Sequence, residues 1–290
     1  MTEPFDLARL PPLREVIRRH GLTARKDLGQ HFLFDTNLTD RIARSAILPP
    51  STDLSTGTTI EIGPGPGGLT RSLLAVGATV LAIEVDDRAI AAMDELATLA
   101  AGRLQVVQAD ALSLGVIDQA ASLGLTGPYR IVANLPYNAG TAMLIQWLKE
   151  AKSFERLTLM FQREVVDRLI AQPGSKAYGR LSVLAQWLCE ATRLFNVPAA
   201  AFTPPPNVMS AVVQLTPRPA PLAEASITSL ERVTAAAFGQ RRKMLRQSLK
   251  GLLDNPTGTL EALGIDPTAR AETLEVPAFC AIARVLEASS

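Results

Sequence analysis

The segment Asn134-Leu-Pro-Tyr-Asn combines three groups that can recognise an amine. The side-chain oxygen of Asn134 and a main-chain carbonyl near Leu135, next to Pro136, can each accept one N–H of an exocyclic amino group such as that of adenine. Tyr137 can stack on the attached base. A proline turn with a packed tyrosine is the alternative interpretation of these residues. The pattern indicates chemistry at an amine that two acceptors hold in place.

A glycine-rich stretch, residues 58–70, is typical of a nucleotide-binding turn. A short apolar strand meets four glycines, and helical spacing resumes at Leu69. Glycine lets a ligand approach the backbone closely, and the unpaired amides at a helix start favour electron-rich groups. Gly63, Gly65 and Gly68 also fit the pattern of dinucleotide-binding enzymes, which leaves the identity of the cofactor open.

Two acids follow the next predicted strands. Glu84 comes about 20 residues after the glycine turn, where an acid can hydrogen-bond a ribose, and it is preferred over Asp86 because it directly follows the apolar run. Asp110 ends the next strand in the same way. Because ligands in doubly wound sheets bind beyond the carboxyl ends of the strands, Gly63, Glu84 and Asp110 should converge on one nucleoside-like ligand. Each acid alone could equally be the N-cap of the following helix.

Alternating strand and helix patterns must position these residues. Strands are predicted over 58–62, 79–84, 104–108, 129–133, 157–161, 191–197 and 211–215. Helices are predicted over 11–20, 36–47, 69–76, 87–97, 139–151, 162–170 and 181–189, and residues 28–35 are predicted to form a loop. The alternation predicts an α/β fold with a doubly wound, mostly parallel sheet of seven strands, whose last two strands pair at one edge.

A proline-rich run from residue 216 to residue 222 predicts a linker. We therefore place a boundary near 217, which divides the chain into domains 1–217 and 218–290. Helices are predicted in the second domain over 227–238, 244–253, 257–263 and 277–288, so this small domain should be α-helical.

The C-terminal domain carries a basic segment that contains no acid between residues 238 and 251. Arg241, Arg242, Lys243 and Arg246 of this segment are candidates for contacts to RNA phosphates. The alternative is an ordinary solvated helix face. The net charge of the whole chain is only +1, so any nucleic-acid surface must be local.

Composition excludes several classes of function. The sequence has no apolar run of membrane-spanning length and no signal-peptide pattern, so we expect a cytoplasmic protein without membrane contact. The two cysteines lack the spacing of metal ligands, and His20 and His31 are the only histidines. That leaves little material for a zinc site or a serine hydrolase triad, and we expect no metal.

Six ordered motifs make most of the chain closely resemble the ribosomal RNA adenine N6-dimethyltransferases, in particular their bacterial small-subunit members. The motifs are Gly29-Gln-His-Phe-Leu, Glu61-Ile-Gly-Pro-Gly-Pro-Gly, Ile83-Glu84, Gln108-Ala-Asp110-Ala, Asn134-Leu-Pro-Tyr-Asn and Phe202-Thr-Pro-Pro-Pro-Asn-Val. The resemblance implies a Rossmann-like class I methyltransferase fold and S-adenosylmethionine as the cofactor. The residues that match the family's cofactor site are His31, Leu33, Gly63, Gly65, Glu84, Asp110 and Asn134. Many relatives carry asparagine where this chain has His31.

The resemblance also implies the reaction, which is dimethylation of the N6 amines of two adjacent adenosines near the 3′ end of 16S rRNA. The substrate would be an immature 30S subunit, and the enzyme would act as a monomer with a role in small-subunit biogenesis. Methyl transfer from a sulfonium needs no nucleophilic side chain, because the amine attacks in line and positioning supplies most of the catalysis. The target should be an unstacked or flipped base.

Asn134, Leu135, Pro136 and Tyr137 would hold the amine and one face of the base. Phe202 is the candidate for the other face, and its alternative role is a core aromatic that anchors the proline-rich loop.

Three other functions stay open. Methylation of 23S rRNA, as in the related macrolide-resistance enzymes, is weakly disfavoured by Leu135, since many of those enzymes have isoleucine there. A nicotinamide-dependent oxidoreductase follows from the glycine turn alone, but Pro64 and Pro66 remove amide donors that a pyrophosphate would need. The third is a ribosome-assembly factor that binds RNA without turnover.

Overall fold

The computed structural model describes residues 9–25 and 29–288. Its strands are β1 Phe32–Leu33, β2 Thr58–Ile62, β3 Val80–Glu84, β4 Leu104–Gln108, β5 Tyr129–Asn134, β6 Phe154–Gln162, β7 Cys189–Val197, β8 Phe202–Thr203 and β9 Ser210–Pro217. Its α-helices are α1 Leu13–Arg19, α2 Thr36–Ser45, α3 Gly68–Ala75, α4 Asp87–Leu99, α5 Val116–Ser122, α6 Gly140–Lys149, α7 Arg163–Leu169, α8 Arg180–Leu188, α9 Ile227–Gly239, α10 Leu245–Ser248, α11 Pro256–Ala262 and α12 Val276–Ala288. Leu28, the first residue of the predicted loop, lies outside the described residues.

Seven of these strands form one sheet in the order β4-β3-β2-β5-β6-β9-β7. The pairs β2–β3, β2–β5, β3–β4 and β5–β6 are parallel. The predicted doubly wound, mostly parallel α/β sheet is therefore confirmed, and β9 and β7 are neighbours at one edge as expected. The parallel strands bring Ile62, Glu84, Gln108 and Asn134 to one rim of the sheet.

The central strands β2 and β3 are buried along their whole length, although β2 contains two threonines and Glu61. Such burial is typical of parallel strands that helices cover on both faces. Leu69, Leu73 and Leu74 of α3 pack with Met93 and Leu96 of α4 in the main hydrophobic cluster. This packing holds α3 against the sheet, and the helix begins at Gly68, at the end of the glycine turn.

A two-stranded ladder joins segments that are far apart in sequence. β1 pairs with β8 in antiparallel register, with Phe32 opposite Thr203 and Leu33 opposite Phe202. The prediction of a loop over 28–35 was wrong at β1, because so short a strand forms only through this distant partner.

Two further differences concern helices. α5 was missed by the sequence analysis. The helix predicted over 244–253 is confined to Leu245–Ser248. It begins after Met244 because that residue is extended and bridges Arg270, and the amides of Leu245 and Arg246 donate to the carbonyls of Ala269 and Pro267. These bonds tie the segment to a neighbouring loop.

The chain clusters into two compact units. One comprises the residues up to 163 together with 193–214, and the other comprises 164–192 together with 215 onwards. The second unit is mainly helical, but it also includes α8, which lies before the predicted boundary at 217. The functional division into 1–217 and 218–290 stays a prediction. Among the described residues, no helix has the length and apolar character needed to cross a membrane.

Candidate active site

A cavity of about 250 Å³ opens in the first unit at the carboxyl ends of β2, β3, β4 and β5. Ten of the predicted site residues line it: His31, Leu33, Gly63, Gly65, Glu84, Asp110, Asn134, Leu135, Pro136 and Tyr137. The glycine turn, both acids and the Asn134–Tyr137 segment therefore face one space. Phe202 is not among the lining residues.

The glycine turn needs glycine for two physical reasons. Gly63 and Gly65 have φ of 65° and 54°, in the left-handed region that side chains disfavour. A Cβ on Gly65 would lie 3.3 Å from the Phe32 ring, whereas a Cβ on Gly63 would meet no atom within 4 Å. The turn is thus packed on its β1 side and open at Gly63, where a ligand can approach the backbone.

Glu84 is a buried carboxylate that organises the turn. Its Oε2 accepts from the Gly65 amide at 3.0 Å, and its Oε1 accepts from the amides of Val85 and Asp86 at 2.8 and 3.0 Å. Burial raises the pKa of Glu84, while these backbone hydrogen bonds oppose the rise. Since a carboxylate oxygen can accept two hydrogen bonds, Oε2 keeps capacity for a ligand hydroxyl.

Two other acids near the turn have structural partners. Glu61 lines the cavity, and its carboxylate accepts a hydrogen bond from the Thr70 hydroxyl at 2.6 Å. Complete burial raises the pKa of Glu61 to about 8, and the nearby charge of Glu84 adds to the rise. Asp86 does not line the cavity. It is held by Arg88 at 2.7 Å, and hydrogen bonds from Arg88 lower its pKa to about 2.

Asp110 is exposed at the rim beyond β4. Its Oδ1 accepts from the Leu112 amide at 2.9 Å, as in the turn-capping interpretation of this residue. The carboxylate also lines the cavity, so the two roles coexist.

Asn134, the last residue of β5, has its amide oriented by a backbone acceptor. Its Nδ2 donates to the carbonyl of His31 at 3.1 Å, which leaves Oδ1 as the acceptor that this side chain offers to the cavity. The next peptide offers a second acceptor. Leu135 donates its amide to Met160, Pro136 has no amide proton, and within the described part of the chain no backbone amide donates to the Leu135 carbonyl. The predicted pair of acceptors for an amine is thus present.

Three aromatic rings lie next to these acceptors. The ring of Tyr137 lies 5.3 Å from that of His31, at an interplanar angle of 32°. The Tyr137 hydroxyl is 2.6 Å from the Ser210 Oγ. Phe202 lies 6.3 Å from His31, edge to face, but only 3% of its surface is exposed and it packs in the main hydrophobic cluster. Its position favours the alternative role of anchoring the proline-rich loop.

The sequence analysis missed several residues of this site. Val85 lines the rim with 51% of its surface exposed, which makes its side chain a suitable contact for a flat ring. Its position between two acids gave no pattern to detect. Ser210 was also missed, because its role depends on the distant Tyr137.

The basic segment lies in the second unit, where its first arginine, Arg241, has two partners. Arg241 donates to the Lys176 carbonyl at 2.6 Å and pairs with Glu272 at 3.4 Å. Arg242, Lys243 and Arg246 are exposed. The three exposed cations are therefore available to a polyanion, while Arg241 also holds the loop that carries Lys176.

Residues 9–25 and 29–288 contain no group of three or more histidine, cysteine, aspartate or glutamate side chains that could hold a metal ion.

Comparison with known proteins shows the family of this chain. The model of the ribosomal RNA adenine dimethylase family matches residues 21–288. The chain is 62% identical over 283 residues to ribosomal RNA small subunit methyltransferase A of Paramagnetospirillum magneticum, covering 97% of each chain.

Two solved structures have the same fold. One is a dimethyladenosine transferase from Plasmodium falciparum, with a TM-score of 0.73, 23% identity and coverage of 89% of this chain and 98% of that one. The other is the 23S rRNA methyltransferase ErmE, with a TM-score of 0.64, 26% identity and coverage of 88% and 99%. On the family match and the 62% identity, this chain belongs to the ribosomal RNA adenine dimethylase family.

Proposed function

We propose that this protein transfers methyl groups from S-adenosylmethionine to the N6 amines of two adjacent adenosines near the 3′ end of 16S rRNA, in an immature small subunit. The observation that carries the proposal is the pair of acceptors at the end of β5. The Asn134 Oδ1 and the Leu135 carbonyl lie in consecutive residues at the wall of the cavity, and an adenine amine has two N–H groups to offer them.

The cofactor side of the cavity suits S-adenosylmethionine. Gly63 leaves room at the backbone, Glu84 keeps an acceptor for a ribose hydroxyl, and Asp110 lies at the rim where the base would end. Leu33 and the exposed Val85 supply apolar contacts. When bound, S-adenosylmethionine supplies a methyl group on a positively charged sulfur.

The residues of the chain would act mainly by positioning. Asn134 and the Leu135 carbonyl align the amine, and as the amine gains positive charge their two hydrogen bonds strengthen. Tyr137 stacks on the base, and its hydrogen bond to Ser210 limits movement of the ring. No side chain is needed as a nucleophile. Glu61, with its pKa near 8, stays largely uncharged below the cavity at neutral pH.

Recognition of the RNA is assigned to the second unit. We propose that Arg242, Lys243 and Arg246 contact phosphates and that Arg241 supports them. The protein would act as a cytoplasmic monomer.

Mapping of methylated nucleotides tests the proposal. Immature small subunits are incubated with the protein and isotope-labelled S-adenosylmethionine, and mass spectrometry locates the labelled adenosines. We expect dimethylation of two adjacent adenosines near the 3′ end of 16S rRNA, and we expect Asn134→Ala and Tyr137→Ala to abolish transfer while calorimetry shows largely intact cofactor binding.

Other outcomes would replace the proposal. Label in 23S rRNA alone would favour the macrolide-resistance type of activity. Binding of a nicotinamide cofactor in place of S-adenosylmethionine would favour an oxidoreductase. Unimpaired subunit assembly by an inactive Glu84→Ala variant would show that RNA binding suffices for the assembly role. Full activity of Asn134→Ala would refute the site assignment.

A further inference from the structure

We propose that His31 is a positioning residue for the acceptor side of the site, whose ring connects the two loops beside the target amine through Nδ1–H. The activity part of this inference rests on the function proposed above. The state of the ring can be measured without any activity.

The hydrogen bond of the ring fixes where its proton lies. The Nδ1 atom of His31 is 2.7 Å from the carbonyl oxygen of Pro204. A carbonyl can only accept, so Nδ1 must carry the proton whether the imidazole is neutral or charged. The neutral ring is therefore the Nδ1–H tautomer, and Nε2 is its remaining acceptor.

Other contacts make this residue a link between two loops. The backbone carbonyl of His31 orients the Asn134 amide at 3.1 Å, and its ring lies beside Tyr137 at a centroid distance of 5.3 Å. Pro204 immediately follows β8, which pairs with β1 next to His31. Thus one half-buried residue contacts the acceptor amide, the stacking ring and the proline-rich loop.

The same contacts argue against a cofactor role for Nδ1. While Nδ1 donates to Pro204, it is not free to bind a ligand, and the ring lies beside Tyr137, which lines the cavity next to Asn134 and Leu135. Loss of the ring should therefore disturb the target amine more than the methyl donor.

Three substitutions separate the two features of the side chain. His31→Asn keeps a nitrogen donor at the δ position but loses the ring. His31→Phe keeps a ring but loses the donor. His31→Ala loses both. His20, which is exposed at the C-cap of α1 and makes none of these contacts, gives the matched control His20→Ala.

The first measurement is nitrogen NMR of the protein labelled with ¹⁵N-histidine. The chain has only two histidines, so comparison with His20→Ala assigns the His31 signals. We expect His31 as the Nδ1–H tautomer at a pH where the ring is neutral, and we expect that signature to vanish in His31→Ala. An Nε2–H tautomer would contradict the proposed hydrogen bond from His31 to Pro204.

The second measurement compares methylation of small subunits with cofactor affinity. We expect His31→Ala to lower kcat/KM roughly tenfold, and His31→Asn to recover part of the loss through its δ donor. The calorimetric Kd for S-adenosylmethionine should change less than about twofold in both variants. A parallel loss of cofactor affinity would make His31 a cofactor ligand and refute the inference.

The two proposals fail in different ways. If the wild-type protein does not methylate small subunits, the proposed function fails, and the tautomer still decides whether the hydrogen bond from His31 to Pro204 exists. If methylation occurs but His31 carries its proton on Nε2, only the inference about His31 fails.

Discussion

The phenolic oxygen of Tyr137 lies 2.6 Å from the Oγ of Ser210, the first residue of β9. Ser210 is completely buried, so this hydrogen bond connects a ring at the cavity wall to the sheet itself. In the function proposed above, Tyr137 stacks on the target base. A ring already held at its hydroxyl would lose little freedom on stacking, so the bond would lower the free-energy cost of positioning the base.

Removing this hydrogen bond should weaken the enzyme without abolishing it. We expect Tyr137→Phe to lower kcat/KM about three- to tenfold, corresponding to roughly 1 kcal/mol, because the ring stays. Ser210→Ala should have an effect of similar size, and the double variant should be no worse than the larger of the two. Steady-state methylation kinetics test this cycle, and fully additive effects would show that the two side chains act independently.

The carboxylate of Glu84 should be required for the shape of the cofactor turn. Glu84→Gln replaces one carboxylate oxygen by an amide nitrogen that can only donate, so one or two of the three backbone amides lose their acceptor. We expect calorimetry to show a cofactor affinity reduced by about tenfold or more. Asp94→Asn, an exposed change on α4, is the control and should leave the Kd unaltered. An unchanged Kd in Glu84→Gln would remove Glu84 from the cofactor site.

Stability should fall with rising pH because of Glu61. Its folded-state pKa of about 8 lies above the ordinary 4.5, so the folded state binds more protons than the unfolded state between these values. The free energy of unfolding should therefore decrease across that window by at most about 1.4 kcal/mol per pH unit from this group. Glu61→Gln should reduce the slope.

Urea unfolding of the wild type and of Glu61→Gln, at several pH values between about 5 and about 8, measures this difference in slope. Burial also raises the pKa of Glu84, so part of the slope should persist in the variant. The same slope in both proteins would mean that Glu61 ionises normally in the folded chain.

The residues of the basic segment should have two different roles: Arg242 and Lys243 contact the RNA, whereas Arg241 stabilises the loop at Lys176. Charge reversal of Arg242 and Lys243 should weaken RNA binding and make the dependence of log K on log salt shallower by about one per lost phosphate contact. Arg241→Gln should instead loosen the loop at Lys176 and increase its amide hydrogen exchange, because the pair with Glu272 is lost. An unchanged salt slope after reversal of Arg242 and Lys243 would return the segment to an ordinary solvated face.

The sequence predicted the parallel sheet and the rim of the cavity because those features are local. β2 and β4 have the predicted bounds, and the glycine turn with Glu84 and Asp110 follows strands that are visible as apolar runs. The cavity also contains Asn134 and Tyr137, whose motif is contiguous. Each of these elements needs information from only a few neighbouring residues.

The misses depend on partners far along the chain. β1 exists only through β8, and the helix predicted from Met244 begins one residue later because Met244 bridges the distant Arg270. Phe202 belongs to the same ladder, and its ring packs in the hydrophobic core. Such long-range pairings cannot be predicted from residue type and local spacing.

The ladder of β1 and β8 limits how this enzyme can be redesigned. It pairs Leu33 with Phe202, and in the proposed function it thereby joins a segment beside the methyl donor to a segment beside the acceptor. A chimaera that takes only one of these segments from a relative would place mismatched side chains across the ladder, beside the tie from His31 to Pro204. Exchange of substrate specificity between relatives should therefore transfer both segments as a single graft.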